Sequence, residues 1–134
     1  MRVLEQFEMD GEVAFVTGGA AGIGEQLATA VAEAGADVVL ADIDTEGAAE
    51  TANSVEEATG ASAMAVECNV ADADAVEAAI QATVEEFGRL DASFANAGIA
   101  ELEFPIQNYN MDQWERIIDV NLNVCSTPTV PPPR

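Results

Sequence analysis

Short, continuously apolar runs alternate along this chain with longer runs whose apolar positions recur at helical spacing. Val13 to Thr17 is apolar to its last residue and runs into Gly18, which predicts a buried strand. From about Ile23 to Ala34 the pattern turns helical, with Ile23, Leu27, Ala30, Val31 and Ala34 in phase and Gly35 as a stop. Val38 to Asp42 predicts a second strand. Thr45 to Thr59 is an Ala- and Glu-rich helix closed by Gly60, and Ser62 to Cys68 a third strand. Asp72 to Phe87 gives the clearest helix, with Val76, Ala79, Ile80, Thr83, Val84 and Phe87 in one stripe and Gly88 after it. Ala92 to Asn96 is a fourth strand. A loop holding Pro105 follows. Asn110 is then placed to cap a last helix, with Gln113 completing a reciprocal cap, and that helix carries Trp114, Ile117, Ile118 and Asn121.

Strands that alternate with helices, and that show little polar alternation themselves, predict a parallel sheet covered on both faces. Right-handed crossovers wind four such strands into the order 3-2-1-4, a doubly wound α/β fold of the Rossmann type, truncated after about four strands. Residues 1–124 are expected to form this one domain. The closing stretch STPTVPPPR holds four of the five prolines, so residues 125–134 are expected to form an irregular tail.

Charge narrows the function classes. The 134 residues carry 25 Asp and Glu against four basic residues, a net charge of −21. All four cations are arginines (Arg2, Arg89, Arg116 and Arg134), with no Lys and no His. Nucleic acid and anionic membranes both call for a basic patch, so neither is an expected partner. The 49% apolar content can still build a core, so the charge does not read as disorder. The composition resembles that of proteins from halophilic archaea, where salt near 1 M shortens the screening length to ~3 Å. Cys68 and Cys125 are too few for a disulfide scaffold, and no Cys/His cluster suggests a metal site. No apolar run approaches ~18 residues, and the start of the chain lacks the basic-then-apolar order of a signal peptide, so a cytoplasmic location is expected.

The stretch TGGAAGIG, Thr17 to Gly24, is where chemistry enters. Gly18, Gly22 and Gly24 follow a strand and open a helix. Glycines there permit a tight turn and a close backbone approach to a pyrophosphate, and the helix N-terminus offers N–H groups and a favourable dipole. Ala21 and Ile23 flank Gly22 in the same turn and join the candidate cofactor-binding residues. Asp42 ends the second strand 18 residues past Gly24, near the ~20 expected for an acid that grips a ribose 2′-OH.

With those residues in view, the sequence resembles the classical short-chain dehydrogenases/reductases. Thr17-Gly18-x-x-x-Gly22-x-Gly24 has that family's glycine spacing. Asn69-Val70 stands where relatives often have Asp-Val beside the adenine. Asn96-Ala97-Gly98 matches the family's Asn-Ala-Gly after strand four, with Ala95 in place of a common first Asn. Asn121 stands at the helical Asn of the family's catalytic tetrad. The resemblance spans about residues 8 to 123. It implies hydride transfer between a nicotinamide cofactor and a small alcohol or carbonyl substrate. NADP-preferring relatives place Arg or Lys near the ribose acid. Asp42 has Glu25, Ile43 and Asp44 as neighbours in this reading, so NAD is the expected cofactor.

The resemblance also implies groups that these residues lack. The family's proton transfer uses a Tyr with a Lys four positions on, and a Ser that polarises the carbonyl. The one tyrosine, Tyr109, is followed four positions later by Gln113, and no lysine exists to serve instead. Only Asn121 of the tetrad is present, so no dehydrogenase turnover is expected from these residues alone. After Asn123, a one-base shift in the coding frame would restore a family-like Gly-Val-Phe continuation. The expectation is therefore a clipped dehydrogenase, with a non-catalytic NAD-binding module or an inactive product of a frameshifted gene as the alternative. Strand four would then be a sheet edge and the last helix less covered, which predicts marginal stability or self-association through that helix.

Overall fold

The structure is a computed structural model that describes residues 2–100, 105–108 and 110–122. The expected tail at 125–134 and Tyr109 lie outside the described residues. A single 3-10 turn at Leu4–Phe7, which the sequence pattern did not signal, leads into β1 (Val13–Thr17). There follow α1 (Gly22–Glu33), β2 (Asp37–Asp42), α2 (Thr45–Thr59), β3 (Ala63–Glu67), α3 (Ala73–Phe87), β4 (Ala92–Phe94) and, after a short 3-10 turn, α4 (Met111–Asn121). The strands form one parallel sheet in the order β3-β2-β1-β4. The expected doubly wound α/β order is the observed one.

The two faces of the sheet explain why the strands read as unbroken apolar runs. Ala14, Val16, Val38 and Leu40 point to one side, where Ala28, Val31 and Ala32 of α1 and Ala48, Ala52 and Val55 of α2 cover them. Val13, Phe15, Val39 and Ala41 point to the other side, against Val76 and Ala79 of α3. Val120 of α4 packs onto this second layer. A strand buried on both faces has no polar face to show. The second strand is in register with the first from Val13↔Asp37 to Thr17↔Ala41, so Thr17 and Asp42 emerge together at the carboxyl ends.

One helix face differs from its expected phase. The buried side of α1 is Gly24, Ala28, Val31 and Ala32. Ile23, expected in the apolar stripe, is 73% exposed, and Ala30 is exposed as well. The helix approaches the sheet through its smallest residues, which brings its axis close and leaves the larger Ile23 at the rim. The remaining helix ends follow the sequence closely. Asp44 caps α2 through Gly47, Asp72 caps α3 through Asp74 and Ala75, and Asn110 with Gln113 forms the reciprocal cap of α4. No helix among the described residues is long and apolar enough to cross a membrane.

At the opposite end of β1, Asp91 accepts hydrogen bonds from the Arg89 guanidinium, at 2.7 Å from both Nε and Nη2, and from the Val13 N–H at 2.8 Å. The Arg89 hydrogen bond holds the Asp91 carboxyl below the ordinary carboxylate range. Partial desolvation opposes this, and the Val13 amide and the Arg89 charge add to it. A depressed folded-state pKa contributes stability above the unfolded value of ~3.9, and that contribution is lost as pH falls through the folded value. Asp91→Asn is therefore expected to destabilise the fold at neutral pH, with the difference from wild type shrinking as pH drops below ~4. Urea melts of both proteins across that window check it; a difference that stays constant with pH would contradict the assignment.

Candidate functional site

The chain runs outward from β1 to β2 and β3, then returns to place β4 on the other flank of β1. Strand order therefore reverses between β1 and β4, and the crevice outside their carboxyl ends is where ligands bind such sheets. Nine of the expected site residues line that crevice: Gly18, Ala21, Ile23, Asp42, Asn69, Val70, Asn96, Ala97 and Gly98. Gly18 follows β1 with φ +68°, a conformation that disfavours any side chain. A Cβ on it would also stand 2.9 Å from the Ala97 Cα. Its N–H donates to the Ala41 carbonyl at 2.8 Å, which ties the turn back to β2.

The turn is fastened to β4 by a polar clamp. The buried Thr17 hydroxyl donates to the Phe94 carbonyl at 3.3 Å and accepts from the N–H groups of Asn96 at 3.0 Å and Ala97 at 3.1 Å. The Asn96 amide donates to the carbonyls of Thr17 at 3.1 Å and Gly18 at 3.4 Å. This clamp explains why β4 ends at Phe94, two residues earlier than the apolar pattern predicts: the Asn96 N–H is shared between the Thr17 hydroxyl and, at 2.9 Å, the Phe94 carbonyl instead of a sheet ladder.

Of the four α-helices among the described residues, α1 alone has no side chain capping its N-terminus. Ala21, extended at φ −161°, and Gly22 lead into it, and Gly24 is buried beneath the turn. Ala21 and Ile23 line the crevice, so an uncapped helix start borders it, the arrangement that suits a phosphate. Asp42 stands beside the turn. One carboxylate oxygen accepts the Ala20 N–H and the other the Asp44 N–H, each at 3.0 Å. These bonds fix its orientation and leave further lone pairs for a ligand hydroxyl.

Two adjoining clefts occupy the crevice and share Gly18, Asp42, Ala97 and Gly98. One, of about 410 Å³, adds Ala20, Ala21, Ile23, Asp44 and Asn96. The other, of about 370 Å³, adds Ile43, Cys68, Asn69, Val70, Ala71, Ile99, Arg116 and Val120. Asn69 lies at the wall of this second cleft, its Oδ1 accepting the Ala71 N–H at 3.1 Å. Gly22 opens with Ile23 onto a shallower neighbouring hollow. Asn121 lies outside both clefts but acts on their edge. Its Oδ1 accepts the Ile99 N–H at 2.7 Å, and its Nδ2 donates to the Ile99 carbonyl at 2.8 Å. α4 is thereby pinned to the loop after β4.

Sequence reasoning passed over Thr17 as a structural clamp, and over Ile43, Ile99 and Arg116 as cleft walls. Cys68 also reaches the cleft, but it is buried. Burial pushes its thiol pKa up, and the charges of Asp72 and Asp42 push it further. A thiol so placed is a poor nucleophile. No cluster of His, Cys, Asp and Glu among the described residues suits a metal ion.

A crevice at a strand-order reversal, with a glycine turn, an uncapped helix and an acid at the end of β2, defines a dinucleotide-binding class of α/β protein. The comparisons specify it. The family model described as "short chain dehydrogenase" matches residues 12–129, and the chain belongs to the short-chain dehydrogenase/reductase family. It is 39% identical over 118 residues to the short chain dehydrogenase/reductase astE of Aspergillus oryzae, covering 88% of this chain and 45% of that protein. It is 39% identical over 117 residues to D-threitol dehydrogenase of Mycolicibacterium smegmatis, covering 87% of this chain and 44% of that protein. It superimposes with a TM-score of 0.83 and 32% identity on a short chain dehydrogenase/reductase from Burkholderia phymatum in complex with NAD, covering 90% of this chain and 42% of that one. The chain thus spans less than half the length of these curated relatives.

Proposed function

We propose that these residues are the cofactor-binding half of an NAD-dependent oxidoreductase that transfers hydride between NAD and a small alcohol or carbonyl compound. The uncapped N-terminus of α1 beside Asp42 carries this reading. The helix end accepts the pyrophosphate, and the oriented Asp42 carboxylate accepts the adenosine ribose hydroxyls. The cofactor supplies the hydride chemistry. The chain's part is to bind and orient it through Gly18, Ala21, Gly22, Ile23 and Gly24 at the turn, and through Asn69, Val70, Asn96, Ala97 and Gly98 along the crevice. Asn121 acts as a positioning residue through Ile99. Without the family's Ser and Tyr-Lys pair, these residues bind cofactor but do not turn over. The exposed Met111 and Trp114 of α4, with Leu122 just after it, support self-association through that helix.

Asp42 also selects between cofactors. A 2′-phosphate would stand against a fixed carboxylate, at a distance that even molar salt, with its ~3 Å screening length, screens only in part. NADH is expected to bind at least about tenfold tighter than NADPH, and Asp42→Asn to narrow that ratio by weakening NADH and relieving NADPH. Fluorescence titration of both cofactors in molar KCl tests it. Equal affinity of the wild-type chain for the two would remove Asp42 as the selector, and failure to bind either would remove the cofactor reading itself.

A further inference from the structure

Thr51 lies on the buried face of α2 with Ala48, Ala52 and Val55, and is 5% exposed. A hydroxyl buried among such neighbours needs a hydrogen bond. Thr29, Thr59 and Thr83 find theirs within their own helices, each donating to the carbonyl four residues back. Thr51 reaches across instead. Its hydroxyl donates at 3.1 Å to the carbonyl of Ala20, 31 residues away in the glycine turn.

Ala20 is held on its other side by Asp42, whose carboxylate accepts the Ala20 N–H at 3.0 Å. The second oxygen of Asp42 accepts the Asp44 N–H, and Asp44 caps α2 through the Gly47 N–H. These bonds close a ring: from Asp42 to Ala20, across to Thr51, along α2 to Asp44, and back to Asp42. Gly47, one helical turn before Thr51, lets α2 lie against the turn, because a Cβ there would stand 3.2 Å from the Ala20 Cβ. Ala20, Asp42 and Asp44 line the 410 Å³ cleft, while Thr51 stands behind it. We infer that Thr51 is a positioning residue for cofactor choice: it holds Ala20 against α2, and Ala20 in turn holds the Asp42 carboxylate in the orientation that accepts ribose hydroxyls and repels a 2′-phosphate. Without the Thr51 hydroxyl, the Ala20 carbonyl loses its donor and turns toward water. The turn then lifts from α2 and draws the Ala20 N–H off Asp42. This role rests on the cofactor reading above and extends control of selectivity to a residue that touches no ligand.

The test titrates NADH and NADPH against wild type, Thr51→Val and Thr51→Ser in molar KCl, with thermal melts to confirm the fold. Thr51→Val is expected to narrow the preference for NADH about threefold or more, and Thr51→Ser, which keeps the hydroxyl, to stay near wild type. In an Asp42→Asn background, Thr51→Val is expected to change the preference no further, since its effect passes through that carboxylate. Thr83→Val removes another buried hydroxyl, in α3, and is expected to lower stability without moving the preference. In the chain without cofactor, amide exchange at Ala20 is expected to speed about tenfold or more in Thr51→Val while β2 keeps its protection. Ala20 exchange unchanged by Thr51→Val would overturn the positioning role, as would equal narrowing by Thr51→Ser or Thr83→Val, or further narrowing in the Asp42→Asn background. If wild type binds neither cofactor, the cofactor reading falls and the inference with it. If wild type prefers NADH and Thr51→Val keeps the full preference, only the inference falls.

Discussion

Gly24→Ala is expected to cost the chain both stability and cofactor affinity. Gly24 sits in the first turn of α1 and is buried. A Cβ added there would fall inside the van der Waals radius of the Gly18 carbonyl oxygen and 2.8 Å from the Asn96 Nδ2. Neither neighbour is a flexible side-chain end. The carbonyl belongs to the glycine turn, and the Asn96 amide is held by the Thr17 and Gly18 carbonyls. The helix must withdraw or the turn must open, and overpacking of this kind costs about 1–3 kcal/mol. For a domain of this size that lowers Tm by about 4 °C per kcal/mol. Either adjustment misplaces the N–H groups proposed to hold the pyrophosphate, so NADH affinity is expected to fall about tenfold or more. Gly22→Ala is the informative contrast. Its φ of +61° makes a side chain strained, by about 1–2 kcal/mol, but its Cβ would meet nothing within 4 Å. If that open space belongs to the cofactor, Gly22→Ala should lose more binding than its Tm alone explains. Melts and NADH titrations on both variants decide this. A Gly24→Ala protein that melts like wild type would mean the close approach of helix and turn is not there.

These two glycines also show how far the sequence carries. Their spacing between a strand and a helix announced the turn, and the end of the next strand announced that Asp42 stands beside it. The parallel sheet followed from unbroken apolar runs, because a strand sealed on both faces leaves that trace, and its order from right-handed crossovers. α2 begins and ends at its expected residues, since Thr45 follows a capping acid and Gly60 takes the left-handed closing position. The face of α1 was less legible. A helix rich in alanine offers almost any phase as an apolar stripe, and the choice was made by packing distance, which favoured Gly24 and Ala28 over Ile23. Within the site, what escaped were pairings between residues far apart in the chain. Ile99 meets Asn121, and Arg116 joins Asn69 in a cleft wall, only once the sheet has been wound.

Thr17 is the sharpest case of such a pairing and carries the second large expected effect. Thr17→Val keeps the volume and the β-branched shape that suit the end of a buried strand, and removes only the hydroxyl. That hydroxyl serves three groups 77 to 80 residues away: the Phe94 carbonyl and the N–H groups of Asn96 and Ala97. Thr17 is 4% exposed, so water cannot readily replace it. A part-buried amide left without an acceptor costs about 1–3 kcal/mol. The Ala97 N–H loses its acceptor here, while the Asn96 N–H keeps the Phe94 carbonyl at 2.9 Å. Thr17→Val is therefore expected to destabilise the chain by about 1–3 kcal/mol, a sizeable share of the ~5–15 kcal/mol typical of a domain. β4 has three residues and pairs with β1 from one side. The clamp is thus much of what holds it, and the loss should be concentrated there. Amide exchange resolves this: protection is expected to fall at Asn96 and Ala97 and along β4 while β2 keeps its own. Thr17→Ser retains the hydroxyl and is expected to recover most of the stability. Equal losses for Ser and Val would mean that the methyl, and not the clamp, is what the fold requires at this position.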